Sequence, residues 1–292
     1  MTPQEKLKTI QHFIARMPSL STTVTKVLEI CNDPGSSPND LNRVISLDPV
    51  LTGQVLKLIN SAYYGLPNKI ASLTRAIIML GLNTVKNLVL ATSILSSFKG
   101  NSALRGTAVD QFWEHSLRVG VAGRVLSRLF NVPVLDQEEY FVTGLLHDLG
   151  KLPIMTIFPV LYQQIGQLAD EQNLRSFEAE SQVLGFDHCH VNRLIFTKWK
   201  LGRNLYLAAA LHHQPFGNET HEAPLPLRIS LANEIVQRFT RPVHATSVTG
   251  ESPLDRLTHA CRLTLDHALD LEGDIEDQVQ QARVFLNVAG KG

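Results

Sequence analysis

The 292 residues carry 27 Lys and Arg against 27 Asp and Glu, a balance that gives no electrostatic footprint for general nucleic-acid or membrane binding. Hydrophobic residues make up 44% and charged residues 18%, which excludes global disorder and is ample for one or two cores. Cys31, Cys189 and Cys261 are far apart and lack CxxC spacing, which excludes a disulfide framework and points to a reducing, cytoplasmic setting.

The first residues, MTPQEKLKTIQHF, lack the apolar run of a signal peptide. Ser37-Pro38-Asn39-Asp40 has the form of a helix start: a capping hydroxyl, a proline at the first helical position and an acid in the first turn. Leu41, Val44 and Ile45 then share one face. Ser72 can cap the next helix, and Gly81 should stop it after Leu80. The most apolar window, Ala76 to Leu95, is broken by Asn83, Lys86 and Asn87, so it predicts no membrane span. From Val85 to Phe98 apolar residues cover most of the helix circumference, which predicts burial.

The polar, glycine-containing stretch Lys99–Thr107 is the expected boundary. The reading is of consecutive parts: an N-terminal helical lobe over 1–105, a site-bearing lobe over 106–240 and a helical extension over 241–292. In the second part the periodicity predicts helices over 108–130, 136–149, 158–173, 187–199, 203–213 and 225–239. Gly217–Pro226 and Arg241–Ser252 read as loops, and two further helices should follow. No run alternates at period two, so the fold class is all-α.

Eleven His are present, and several fall where a surface His would not. His115 lies in a row with Phe112, Val119, Ala122 and Leu126. Asp148 shares a row with Phe141 and Leu145, and His147 lies on the adjacent one. His188 aligns with Val191, Ile195 and Trp199, while His212 aligns with Leu205 and Ala209, with His213 one step round. Asn233 aligns with Ile229 and Val236. An inward carboxylate without a partner costs several kcal/mol. One divalent transition metal would satisfy the whole set, because neutral imidazole and carboxylate suit Fe, Mn, Zn or Ni. The rival reading is a hydrogen-bonded cluster with no ion. His12, His221, His244, His259 and His267 read as surface residues, His190 as a non-ligand and Cys189 as a small apolar filler.

Gly144-Leu145-Leu146-His147-Asp148-Leu149-Gly150-Lys151 resembles the signature of the HD metal-dependent phosphohydrolase superfamily. The resemblance implies that His147 and Asp148 ligate metal, that Lys151 can face a phosphate, and that His115 is the first ligand. His188, His212 and His213 match the additional His of the HD-GYP branch, which cleaves cyclic di-GMP. Two departures oppose catalysis. Asn233 stands where the superfamily has a closing Asp, and His213-Gln214-Pro215-Phe216-Gly217-Asn218 contains no Gly-Tyr-Pro loop.

Met17-Pro18-Ser19-Leu20, Asp48-Pro49-Val50-Leu51, the run Leu58 to Gly65 and the run Ala76 to Gly81 are similar, in order, to the signature segments of HDOD domains, a resemblance running from about Leu7 to about Phe239. It implies an HD-like helical domain with an N-terminal helical lobe, and a role in bacterial signal transduction through an unidentified protein partner, without demonstrated hydrolysis. The rival is a metal-dependent phosphohydrolase acting on a nucleotide or cyclic dinucleotide, in which Lys151 would steady the phosphate. A third reading is a structural interaction protein. Neither membrane attachment nor general nucleic-acid binding is expected. Asn60-Ser61-Ala62-Tyr63-Tyr64 reads as a helix end packed by aromatics, against the alternative of a partner surface.

Overall fold

The computed structural model describes residues 1–99, 106–217, 224–240 and 252–288, with no description of the Lys99 side chain. Among these residues every regular element is helical and there is no strand. No single described helix is long and apolar enough to cross a membrane.

Short polar sequences set the helix starts. Ser37 caps Pro38–Ile45, and Asp40 returns the bond through its carboxylate, 3.0 Å from the Ser37 amide. The same reciprocal box opens Pro3–Arg16 with Thr2 and Glu5, and Pro253–Ala260 with Ser252 and Asp255. Gly81 ends the Leu73–Leu80 helix as expected. Its φ of +85° is a left-handed conformation that disfavours any side chain, and the chain bends there by 118° into Leu82–Phe98.

The described chain forms two compact units, each drawn from separated stretches of sequence. One comprises Met1–Ser19, Ala103–Asp110 and Leu146–Leu271; the other comprises Leu20–Ser102, Gln111–Leu145 and Glu272–Gly292. The boundary expected at Lys99–Thr107 falls mostly on residues outside the described ones, as do much of the Gly217–Pro226 loop and all but the last residue of Arg241–Ser252.

In the first unit, Pro3–Arg16 is tied down by a side chain far along the sequence. The Lys198 ammonium donates to the carbonyls of Ile14, Ala15 and Met17 at 2.7, 2.8 and 2.6 Å, closing the end of that helix beside the Met17 amide, which also bonds Ile14 O. The Trp199 indole N–H donates to Pro18 O at 3.1 Å. In the second unit Leu41, Ile45, Leu58, Leu88 and Ile94 are buried together with an aromatic group of Tyr63, Phe141 and Phe285, whose ring centroids lie 4.6–5.3 Å apart. The Asn60 side chain brackets the intervening loop, donating to Ile70 O at 2.8 Å and accepting from Ile70 N at 2.7 Å. Tyr63 is thus a packing residue, as the aromatic-cap reading of this segment holds.

Some elements differ from expectation. Lys151–Ile157 and Ser176–Leu184 are additional helices. The second is closed by Gly185 at a φ of +86°. Beyond Ser252 the chain makes four short helices rather than two: Pro253–Ala260, Leu265–Leu269, Glu272–Ala282 and Val284–Val288. Arg262 at a φ of +56° interrupts the first pair, and Thr264 recaps the chain by accepting from the His267 amide.

Candidate metal centre

Two ligand-bearing segments predicted as helix interiors are turns just beyond helix ends. The helix expected over 136–149 stops at Leu146, and His147 to Gly150 form a turn. The cause is local. The Gly150 amide, which would bond Leu146 O in a continuing helix, donates instead to Asn192 Oδ1 at 2.6 Å, and Leu146 O accepts from Leu149 N. A Cβ on Gly150 would stand 2.3 Å from His188 O, so only glycine permits this approach. The helix expected over 203–213 likewise ends at Leu211, and His212 and His213 occupy the following turn.

Asn192 joins these segments. It lies within the His188–Lys198 helix, fully buried, and its amide donates to His147 O at 2.5 Å and Ala209 O at 2.8 Å while its oxygen holds Gly150. One side chain thereby sets the turn bearing His147 and Asp148 against the helix end bearing His212. The His188 helix starts beside it, capped by Asp187, which accepts from the His190 amide at 2.9 Å.

Inside this frame the imidazoles converge. Asp148 Oδ1 lies 3.0 Å from His188 Nε2, 3.3 Å from His212 Nε2 and 3.4 Å from His147 Nε2. His188 Nε2 is also 3.2 Å from the Nε2 atoms of both His212 and His213. Asp148 Oδ2 accepts from the Lys151 ammonium at 2.5 Å. Behind His188, Glu180 Oε2 is 2.6 Å from Nδ1 and accepts from the His188 amide at 2.8 Å. A carboxylate only accepts, so His188 carries a proton on Nδ1 and turns its Nε2 inward.

His188 Nε2 faces the Asp148 carboxylate, a distance at which a bare nitrogen and a carboxylate repel unless a proton or a cation lies between them. His147, Asp148, His188, His212 and His213 therefore fit a metal ion: their donor atoms converge, and one imidazole is held by a buried carboxylate in the manner of metal-ligating His. His188, Cys189, His212 and His213 present donor atoms all within 4.8 Å of one another.

The electrostatics match a centre that demands positive charge. Burial raises the Asp148 pKa, but His147, Lys151 and His188 outweigh it and hold the carboxyl well below its ordinary range. Burial opposes a charge on His188, yet Glu180 and Asp148 push it well above the usual imidazole value. His213 is driven well below by burial and by the neighbouring His212 and His188. Burial raises the Cys189 thiol, whereas His212 and His188 draw it down to about 7.

Each sequence candidate has a definite place. His147, Asp148, His188, His212, His213 and Lys151 come together in the unit containing Leu146–Leu271. His115 is half-buried on Thr107–Leu129, in the other unit. Asn233 is buried on Pro224–Thr240, where its oxygen accepts from Gln237 at 3.2 Å, one turn along the same helix. His12, His190, His259 and His267 are exposed, while His221 and His244 lie outside the described residues. Sequence reasoning missed Glu180 and Asn192. Cys189, read as a small filler, is buried, with its sulfur 3.7 Å from His212 Nδ1. An acid and an amide at apolar positions, beside Ala179 and Leu184 and beside Val191 and Ile195, were the available signals.

A family model of the HDOD domain matches residues 17–215. An HDOD domain protein of unknown function from Geobacter sulfurreducens has a TM-score of 0.75 at 22% identity, covering 97% of this chain and 99% of that one. A provisionally named phosphohydrolase from Shewanella amazonensis has a TM-score of 0.72 at 21% identity, covering 95% and 97%. At such identities the likeness is one of fold. An uncharacterized protein of Treponema pallidum is 23% identical over 244 residues, 82% of this chain and 44% of that protein, so the chain spans under half the length of this curated relative.

Proposed function

The chain belongs to the HDOD domain family, and on that premise we propose that it is a cytoplasmic bacterial signal-transduction module that acts through protein contacts and keeps an HD-type metal centre as a structural or sensing core. Burial of the centre carries the reading. His147, Asp148, His188 and His212 are each at most 1% exposed, and Lys151 turns its ammonium onto Asp148. A phosphohydrolase needs an open edge on its centre and a cation free to meet phosphate. Exposed apolar side chains at Ile78, Met79, Val134 and Leu135 favour protein contact as the output. The partner is a signalling protein, with a nucleotide as an alternative effector.

His147, Asp148, His188, His212 and His213 would hold the ion. A bound divalent transition metal would supply Lewis acidity and acidify a coordinated water. The chain's own contribution is to orient His188 through Glu180, offset the Asp148 charge through Lys151 and fix both turns through Asn192. Asn233, an amide already engaged by Gln237, adds no negative charge.

The convergence of imidazoles on an intact His147-Asp148 pair favours a second reading, a metal-dependent phosphohydrolase acting on a nucleotide or cyclic dinucleotide. The deciding experiment incubates metal-loaded protein with cyclic di-GMP and a panel of nucleotides and follows products by chromatography. The expected outcome is no turnover. Hydrolysis at a typical enzymic rate of about 1–1000 per second, abolished in His147→Ala, would establish the second reading instead.

A further inference from the structure

We propose that Lys151 sets the metal selectivity of this centre. By holding Asp148 Oδ2 it leaves the ion one carboxylate oxygen beside the imidazole nitrogens of His147, His188, His212 and His213, a donor set for Zn, Fe(II) or Ni rather than Mn. The inference rests on the metal-centre reading above and deepens it by naming the metal class and the side chain that selects it.

The two oxygens of Asp148 have separate neighbours. Oδ1 faces the Nε2 atoms of His188, His212 and His147 at 3.0, 3.3 and 3.4 Å. Oδ2 accepts from the Lys151 ammonium at 2.5 Å. The local turn fixes this division, because the Lys151 amide also donates to Asp148 O at 2.9 Å, so backbone and side chain tie the same two residues. Lys151 opens the Lys151–Ile157 helix, whose next residues Leu152, Pro153 and Ile154 are buried, and its own side chain is only 14% exposed. The ammonium is therefore held in place by the fold around it.

Spacing agrees with an ion on the Oδ1 side. Bonds of about 2.1 Å separate adjacent donors by about 3.0 Å at right angles and by about 3.4 Å in a tetrahedron. The Oδ1 separations of 3.0–3.4 Å fall in that range, as do the 3.2 Å separations from His188 Nε2 to the Nε2 atoms of His212 and His213. Each of these rings turns the same nitrogen, Nε2, toward the others.

The selectivity follows from the donors. Imidazole suits Zn, Fe and Ni, whereas carboxylate and other oxygen donors suit Mn. A carboxylate free to use both oxygens at full charge would move the centre toward Mn. The ammonium takes the second oxygen and offsets the charge. Lys151→Met keeps an unbranched stem and removes both restraints. Loss of the charge alone would strengthen Zn and Mn alike, while release of Oδ2 strengthens Mn above Zn.

The test uses the full chain without a polyhistidine tag, stripped of metal by chelator and titrated with zinc(II) or manganese(II) chloride in competition with a chromophoric chelator. The readout is the change in the ratio of the two affinities between parent and variant, because almost any site prefers Zn to Mn. A merely structural role for Lys151 would not move that ratio. It should shift toward Mn by about tenfold or more in Lys151→Met, the scale of an outer partner's effect on a metal. An unchanged ratio, equal gains by both ions included, overturns the role of Lys151 and leaves the metal centre standing. No uptake of either ion by the parent overturns both. X-ray absorption of the zinc-loaded parent keeps the proposal falsifiable if Lys151→Met fails to fold. It should show imidazole scattering and no carboxylate carbon at the short distance of two-oxygen binding, and such a carbon would overturn the proposal.

Discussion

Glu180 is the residue on which the orientation of His188 depends. It is fully buried, accepts from both the ring and the amide of His188, and itself takes a hydrogen bond from the Ser176 hydroxyl at 3.0 Å. Burial alone would favour its neutral form, but the His188 imidazole outweighs this and holds the carboxyl below its ordinary range. Removing such an outer partner typically weakens metal affinity by about 10–100-fold. Glu180→Gln keeps the shape and loses the charge, so it should show a loss of that size in a competition titration against a chromophoric chelator. An unchanged affinity would mean that His188 is oriented without it. Glu180 was hard to find from sequence because its value depends on a partner eight residues away across a helix break at Gly185.

At the scale of elements, the centre depends on where helices stop. Gln137–Leu146 and Arg203–Leu211 each end where a backbone group turns to Asn192 instead of continuing its own ladder. Asn192→Leu would fill similar space while leaving Gly150 N and His147 O buried without that partner, and Ala209 O with only His212 Nδ1 at 3.3 Å. Each orphaned buried group costs about 1–3 kcal/mol, so chemical denaturation should show a loss of roughly 2 kcal/mol or more. A loss below about 1 kcal/mol, the net worth of one ordinary hydrogen bond, would mean that the two turns are held by something else. The hydrophobic period marked Leu145 and Leu205 correctly as inward. It could not mark the helix ends, because a period continues through a turn of three or four residues without visible change.

For the whole molecule, the described chain is two units, and the converging ligands His147, Asp148, His188, His212 and His213 belong to one of them. An ion that binds the folded state alone stabilises it by about 2.7 kcal/mol at one hundred times its Kd. Zinc added to the metal-free protein should therefore raise the melting temperature. The slowing of amide exchange should concentrate in Leu146–Leu271 rather than in Leu20–Ser102. Slowing confined to Leu20–Ser102 would place the ion away from these ligands.

The sequence by itself determined the all-helical class, the cap at Ser37, the break at Gly81 and the inward aim of His147, Asp148, His188 and His212. Those features depend on residues within a few positions of one another, and local hydrogen bonding and periodicity decide them. The HDOD resemblance was equally legible, because its segments are contiguous. Tertiary structure alone decided that His147, Asp148 and the His212-His213 pair sit on turns, that Lys151 is spent on Asp148, that Glu180 stands behind His188 and that Cys189 faces His212. It also decided that Pro3–Arg16 packs with the later unit, through Lys198 and Trp199. Each of these rests on a polar group meeting a partner distant in sequence or beyond a chain reversal, and a buried polar group takes whichever partner the fold delivers.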